Sequence, residues 1–268
     1  LSWRALALRE EAGFLRDLHA LRILPPHARP RASDYVPQMT EVARQLAKTG
    51  RVRRQGSEWL YTPPARPRGV NFATAADLAA HAVREPGHPF PLGEGAAGEF
   101  MVWKLQEPPR PSWAGPWGRG TPGWHLECYA MANDLLGLPV DIHGGGTDLI
   151  FPHHYAENEV ALALHHRPFA KIFVHPGLVL WDGSKMSKSR GNLVPLRVAL
   201  REVGADALRW YLLGSPLTER FHWSAEGLRR AAGEWRHIRR TLQAWLRPAP
   251  GPRRQCGRAR SRTACGST

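Results

Sequence analysis

Lys185 and Lys188 stand three apart in the run Trp181-Asp182-Gly183-Ser184-Lys185-Met186-Ser187-Lys188-Ser189-Arg190-Gly191-Asn192. Set among small hydroxyl residues and after a glycine, they make a cationic loop suited to a polyphosphate whose charge is redistributed during reaction. The plainer reading of a Lys/Ser-rich pentapeptide is a solvated basic turn. The loop therefore points to phosphate chemistry only if the chain supplies the rest of a site.

Two further groups of residues could do so. Cys128 ends Gly123-Trp124-His125-Leu126-Glu127-Cys128, and His153 and Glu157 lie four apart in Phe151-Pro152-His153-His154-Tyr155-Ala156-Glu157-Asn158-Glu159. Thiolate, imidazole and carboxylate are all zinc ligand types. A spacing of four puts His153 and Glu157 on one face of a helix, and Pro152 suits that helix's first turn. Only three ligands are visible, whereas a structural zinc takes four from the protein. The fourth would be substrate, water or a residue outside this sequence. The alternative is a small core cysteine and a helix-capping histidine.

The third group is His143-Gly144-Gly145-Gly146-Thr147-Asp148, which follows an apolar run. Glycines let backbone approach a ligand closely, and a carboxylate just beyond can accept bonds from ribose hydroxyls. The carboxyl end of a strand is where α/β sheets bind ligands. A flexible turn with a capping Asp148 is the competing reading.

The elements that must position these residues follow from periodicity. Residues 5–23 read as an amphipathic helix with Leu6, Phe14, Leu15, Leu18 and Leu21 apolar, stopped by Pro25-Pro26. Ser33 or Asp34 caps a second helix that turns Val36, Met39, Val42, Ala43 and Leu46 inward and ends at Gly50. Strands are expected at 58–62 and 100–104, then a Pro/Gly-rich loop over 107–123 and a helix from Trp124 to Leu136. Val140–His143 reads as a buried strand, 153–165 as a helix and Ile172–His175 as another strand. Helices follow near 195–203 and 205–213, then a basic, Trp-containing helix or pair over 221–246. An Ala-rich helix falls near 74–83. Strands alternating with helices between 100 and 213 indicate an α/β fold with parallel pairing. Trp210, Trp223, Trp235 and Trp245 are expected to pack helices, Arg229, Arg230, Arg236, Arg239 and Arg240 to form a basic helix face, and His165 and His166 have no evident partner.

The 268 residues, 43% hydrophobic, are enough for a real core. The net charge is +14, and the six arginines from Arg247 onward, with no acid among them, supply under half of it. A basic body fits a polyanionic partner such as ATP or tRNA, although arginine-rich codon usage would give the same balance. No run of about 18 apolar residues and no secretory leader occurs. Three cysteines do not make a disulfide framework, so a reducing, cytoplasmic compartment is the default. The tail after Pro248 has no periodicity and is expected to be disordered.

Together these motifs resemble cysteinyl-tRNA synthetase, a class I aminoacyl-tRNA synthetase. The resemblance rests on Gly123–Cys128, on Asp141-Ile142-His143-Gly144-Gly145-Gly146-Thr147-Asp148-Leu149-Ile150-Phe151-Pro152-His153-His154, and on Lys185–Ser189. Phe100–Lys104 and Pro111-Ser112-Trp113 fit it as well, and it runs from about residue 5 to 246. It implies a partial class I Rossmann-like catalytic domain with flanking helical regions: an insertion region over 1–99, the second half of the catalytic domain over 100–195, a helical stem over 196–246 and a tail over 247–268. It implies ATP-dependent activation of L-cysteine to cysteinyl-adenylate and transfer to tRNA(Cys), with Mg2+ accompanying ATP, in a monomeric enzyme. In that family zinc binds the cysteine thiolate, which solves the problem of rejecting serine where packing could not. By resemblance Cys128, His153 and Glu157 are the zinc ligands, Trp124 lines the amino-acid pocket, Gly145, Gly146 and Asp148 hold the adenosine part, and Lys185 and Lys188 stabilise the phosphates.

The sequence departs from that family's pattern. The usual His-His-Glu-Asn-Glu has become His153-His154-Tyr155-Ala156-Glu157-Asn158-Glu159, so either Glu157 or Glu159 takes the ligand place. Glu157 is favoured, because a residue at i+6 lies about 240° round the helix from His153. No HIGH-like motif occurs, and the family's first Rossmann half, with a further zinc cysteine, is not in the sequence. The isolated chain is therefore expected to make adenylate poorly. Two other readings stay open. One is a ligase that joins cysteine to the amine of glucosaminyl-inositol in mycothiol biosynthesis, which the ending Arg190-Gly191-Asn192-Leu193-Val194 also fits. The other is an inactive remnant or tRNA-binding module.

Overall fold

A computed structural model describes residues 2–64, 98–187 and 191–246. The expected Ala-rich helix near 74–83, Lys188 and the tail after residue 246 lie outside the described residues. α1 (Trp3–Ala20) begins at Ser2, whose hydroxyl accepts from the Ala5 amide. Its expected inward face is only partly realised: Leu15 and Leu18 are half-buried, whereas Leu6 and Phe14 stay exposed. α2 (Val36–Lys48) buries Val36, Met39, Val42, Ala43 and Leu46 as its spacing predicts, and Thr40 with them. Its cap is Tyr35, because Ala32–Asp34 are taken up by a tight 3-10 turn. The Tyr35 hydroxyl donates to Asp134 at 3.1 Å and ties this entry to the third helix.

The largest sheet is antiparallel, which the expectation of parallel pairing did not include. β1 (Val52–Gln55), β2 (Glu58–Tyr61), β3 (Phe100–Leu105), β4 (Trp113–Gly115) and β5 (Gly118–Pro122) pair in the order β1-β2-β3-β5-β4. The stretch 107–123, expected to be loop, thus holds a hairpin. Its glycines are there for close approach: a Cβ on Gly115 would lie 1.9 Å from the Trp103 ring, and one on Gly120 would lie 2.2 Å from the Lys104 carbonyl oxygen. The buried indole of Trp103 occupies the space those side chains would take.

Alternating elements follow. α3 (His125–Leu136) leads to β6 (Val140–Gly144), then through two tight turns to α4 (Tyr155–His165) and β7 (Ala170–Val174). β6 and β7 are parallel, with Val140 opposite Ala170 and His143 opposite Phe173. β6 is not the buried strand expected from its apolar run. Ile142 is 64% exposed and its partner Ile172 is 55% exposed, and only Val140 and Ala170 at the start of the pair are buried. One core joins α2, β2, β3, α3, β6, α4 and β7 through residues such as Leu46, Tyr61, Val102, Leu126, Val160 and Phe169.

The cationic loop that begins at Lys185, the signature loop of the family resemblance, follows β8 (Val179–Trp181) and β9 (Ser184–Lys185), with β10 (Phe221–His222) parallel to β8 on the other side. α5 (Leu196–Val203), α6 (Ala205–Leu213) and α7 (Ala225–Trp245) form a second core around Leu21, Ala199, Leu208 and Leu228. Residues 225–245 make one continuous helix. Trp210 and Trp235 pack together at 6.1 Å and Trp223 lines this core, but Trp245 is exposed. Among the described residues no helix is long and apolar enough to cross a membrane.

Candidate metal and nucleotide site

Cys128 projects from the first turn of α3, and His153 and Glu157 from the start of α4. α3 and α4 share the main core, so the two helices bring their ends together. The ligand atoms of Cys128, His153 and Glu157 all lie within 4.8 Å of one another. Glu157 is 0% exposed, and one of its oxygens, Oε1, has no hydrogen-bond partner. A buried carboxylate oxygen without a donor is costly and needs a compensating charge. His153 Nε2 lies 3.4 Å from that oxygen. Glu159 is also buried, but it lies outside the trio, and burial pushes its carboxyl up to about 7.

The protonation states suit metal ligation. Burial lowers the pKa of His153, the carboxylate of Glu157 opposing and His143 reinforcing that shift. Burial, with His143, His175 and His153 nearby, takes His154 down to about 3. Both rings are thus neutral near pH 7 and carry a lone pair. The Cys128 thiol is pushed up to about 12 by burial and by the nearby Glu157 and Glu127 carboxylates. It becomes a thiolate only when a cation replaces its proton. His153 Nδ1 is 3.1 Å from His125 Nδ1, so a hydrogen on His153 Nδ1 leaves Nε2 free to face the trio. The donor set and the orphaned oxygen fit a divalent cation of zinc's preferences.

Trp124, just before α3, stacks on the His153 ring with centroids 4.5 Å apart and planes at 23°. It covers the His153 corner of the trio. The glycine loop lies against the next histidine, His154. The Gly145 amide donates to Val174 and the Thr147 amide to Pro176, which lays residues 144–147 along the end of β7. Gly145 is needed for space, since a Cβ there would lie 2.7 Å from His154 Nε2 and 2.8 Å from Leu149 Cδ1. A Cβ on Gly146 would lie 2.5 Å from Asp148 Oδ1.

Asp148 in turn accepts from Lys185 Nζ at 2.6 Å. The signature loop therefore meets the glycine loop directly. Asn192 bonds back to its described first half: the Ser187 amide donates to Asn192 Oδ1 at 2.8 Å, and Asn192 Nδ2 donates to the Lys185 carbonyl at 3.2 Å. Met186 lines an apolar cavity of about 390 Å³ with Leu193, Leu208 and Trp223. Lys188, expected to act beside Lys185, is not among the described residues.

The expected residues Trp124, Cys128, Gly145, Gly146, Asp148, His153, Glu157 and Lys185 thus line one continuous region. Four histidines that were not singled out join them. His125, His143, His154 and His175 make a ring-to-ring chain with His153, in which His154 Nδ1 sits 2.8 Å from His175 Nε2. The three-residue spacing of His125 and Cys128 was a usable signal, because it puts them on one helix face. His175 had none, since its place depends on the parallel register of β6 and β7. His165, read as lacking a partner, stacks on Tyr129 at 6.5 Å.

A family model for the class I (C) tRNA synthetase catalytic domain matches residues 1–233. The chain is 38% identical over 242 residues to a cysteine--tRNA ligase of Streptomyces griseus, covering 90% of this chain and 51% of that protein. It is 37% identical over 258 residues to an L-cysteine:1D-myo-inositol 2-amino-2-deoxy-alpha-D-glucopyranoside ligase of Thermobispora bispora, covering 94% of this chain and 62% of that protein. The chain spans about half the length of the curated relatives it matches. Among solved structures, a Mycobacterium tuberculosis methionyl-tRNA synthetase in complex with methionyl-adenylate shares the fold, with a TM-score of 0.59 at 17% identity over 84% of this chain and 54% of that one.

Proposed function

The chain belongs to the class I (C) tRNA synthetase catalytic-domain family, and from that premise we propose that it carries the cysteine-activating centre of a cysteine–tRNA ligase. The observation that carries the reading is the convergence of Cys128, His153 and Glu157, with the Trp124 ring stacked on His153. Zinc bound there would hold a substrate thiolate and so distinguish cysteine from serine. Trp124 shapes the space over the trio and excludes water from it.

Gly145 and Gly146 would hold the adenosine part along the loop backbone, and Asp148 would accept from its ribose. Lys185 reaches from the signature loop to the same place, so it can follow the phosphates of ATP and its Mg2+. The cysteine carboxylate attacks the α-phosphate, and the bond to the bridging oxygen breaks to release pyrophosphate. A terminal ribose hydroxyl of tRNA(Cys) then attacks the adenylate carbonyl and AMP leaves. Residues 100–195 would carry this chemistry, residues 1–99 an insertion region and residues 196–246 a helical stem. Lys188 would share the phosphates with Lys185. The enzyme would work as a monomer in the cytoplasm.

The similarity to the amino-sugar ligase of Thermobispora bispora supports a second reading, in which the same activated cysteine goes to an amine instead of tRNA. One experiment tests the shared core and a second the acceptor. With Co2+ in place of Zn2+, added cysteine should raise a sulfur-to-cobalt charge-transfer band and serine should not. Equal responses would sink the thiolate reading. Supplied with ATP, cysteine and the remainder of the catalytic domain, the chain should charge tRNA(Cys) and leave glucosaminyl-inositol unmodified; the reverse outcome establishes the second reading.

A further inference from the structure

Glu157 divides its two oxygens between two neighbourhoods. Oε1 faces His153 and has no hydrogen-bond partner, while Oε2 lies 3.0 Å from His143 Nε2. A carboxylate accepts, so the hydrogen of this bond sits on His143 Nε2. His143 cannot readily turn away. Its ring stands edge-on to Phe169 at 4.8 Å and to Phe173 at 5.8 Å, and lies 4.3 Å from the His154 ring. Phe169 precedes β7 and Phe173 lies opposite His143 in the β6–β7 register. The strand pair thus clamps the imidazole, and the imidazole clamps the carboxylate.

His143, His154 and Glu157 also form a second trio of possible ligands. Its atoms are already engaged: Oε2 with His143, and His154 Nδ1 with His175 at 2.8 Å. A supporting shell explains that arrangement with every bond in place.

We propose that His143 is the positioning residue of the metal trio: by holding Oε2 through its Nε2–H it aims Oε1 at the space shared with Cys128 and His153. The proposal rests on reading that trio as a zinc site. It also gives the fold a direct link from the metal to the nucleotide loop, because His143 is followed at once by Gly144, Gly145 and Gly146. A carboxylate locked this way is presented to an ion at no further ordering cost, as outer-shell partners of metal ligands generally do.

The test is zinc affinity of the purified chain, read by competition with a chromophoric chelator, for the parent, H143Q, H143N and H143L. The Gln amide reaches the Nε2 position and keeps a donor; the shorter Asn and the apolar Leu do not. H143N and H143L should bind zinc about 10- to 100-fold more weakly, and H143Q should stay within about threefold of the parent. Metal-free melting temperatures of H143Q and H143N identify any loss that is merely structural, and that pair decides the matter if H143L fails to fold. Affinities unchanged in H143N, or lost equally in H143Q, overturn the positioning role while the zinc reading stands. A parent chain that takes up neither Zn2+ nor Co2+ overturns both.

Discussion

Lys185 Nζ lies 2.6 Å from Asp148 Oδ2, a contact between the end of β9 and the tight turn after the glycine triplet. The pair couples two segments separated by 37 residues, one read as phosphate-binding and the other as adenosine-binding. Both side chains are partly open to solvent, so the ion pair itself adds little stability. Its consequence is for ligands: a ribose on Asp148 and phosphates on Lys185 must each replace the other's partner. Assayed with the remainder of the catalytic domain supplied, K185A is expected to lower cysteine-dependent ATP–pyrophosphate exchange by about 10²–10³-fold. D148N is expected to weaken ATP binding by about tenfold. If K185A exchanges pyrophosphate at the parent rate, Lys185 does not meet the phosphates.

Zinc uptake should depend on pH through Cys128. Its thiol, pushed up to about 12 by burial and nearby carboxylates, is protonated at neutral pH. Binding must therefore release one proton. His153, lowered by burial, is already neutral above its ordinary range and releases none. The apparent affinity should rise about tenfold per pH unit between pH 7 and 9, and C128S should abolish that slope. A flat profile in the parent chain would show that Cys128 is not a ligand.

The site was more legible in the sequence than the sheet that supports it. Cys128, His153 and Glu157 could be grouped because helical spacing links the last two and because soft and hard zinc ligands are rare among apolar neighbours. That the glycine loop and Lys185 would meet could be anticipated, because both belong to the few residue types expected around a nucleotide, and Lys185 does reach Asp148. The β4–β5 hairpin could not be read. Its glycines mean loop by propensity, and only the Trp103 ring filling the space above Gly115 explains them. His143 and His175 were hidden for a related reason. Their roles come from the parallel register of β6 and β7, which no local pattern encodes. Ile142 and Ile172 misled in the opposite direction, since apolar type does not say whether anything packs over a residue.

Within the glycine triplet, two neighbouring substitutions should behave differently. A Cβ on Gly145 would lie 2.7 Å from His154 Nε2, on a ring whose Nδ1 is held by His175. A Cβ on Gly144 would meet only the Val174 oxygen, at an ordinary 3.9 Å. G145A should cost about 1–3 kcal/mol through the displaced imidazole. G144A should be neutral or stabilise by roughly 0.5 kcal/mol, because alanine loses less backbone entropy in a strand. Denaturant unfolding of both variants checks this. Equal midpoints would mean that His154 moves aside freely.

Acid stability should report on Glu99, which anchors the edge of the antiparallel sheet. Its carboxylate accepts from Arg53 Nε at 2.9 Å and from the Thr62 hydroxyl at 2.6 Å. The Arg53 bond, aided by Thr62 and opposed by burial, holds the Glu99 pKa below its ordinary value. A carboxylate lowered in the folded state stabilises fully above its unfolded pKa, near 4.5, and loses that contribution as pH falls through the folded value. Arg53 is largely solvated, so the contribution is discounted to about 1 kcal/mol, or roughly 3 °C in melting temperature. E99Q should melt lower than the parent by about that amount at pH 7. The gap should narrow steadily below pH 4.5 as the parent's own carboxylate takes up its proton. A gap that stays constant down to pH 3 would show that the Glu99 charge contributes nothing and that the glutamine merely packs less well.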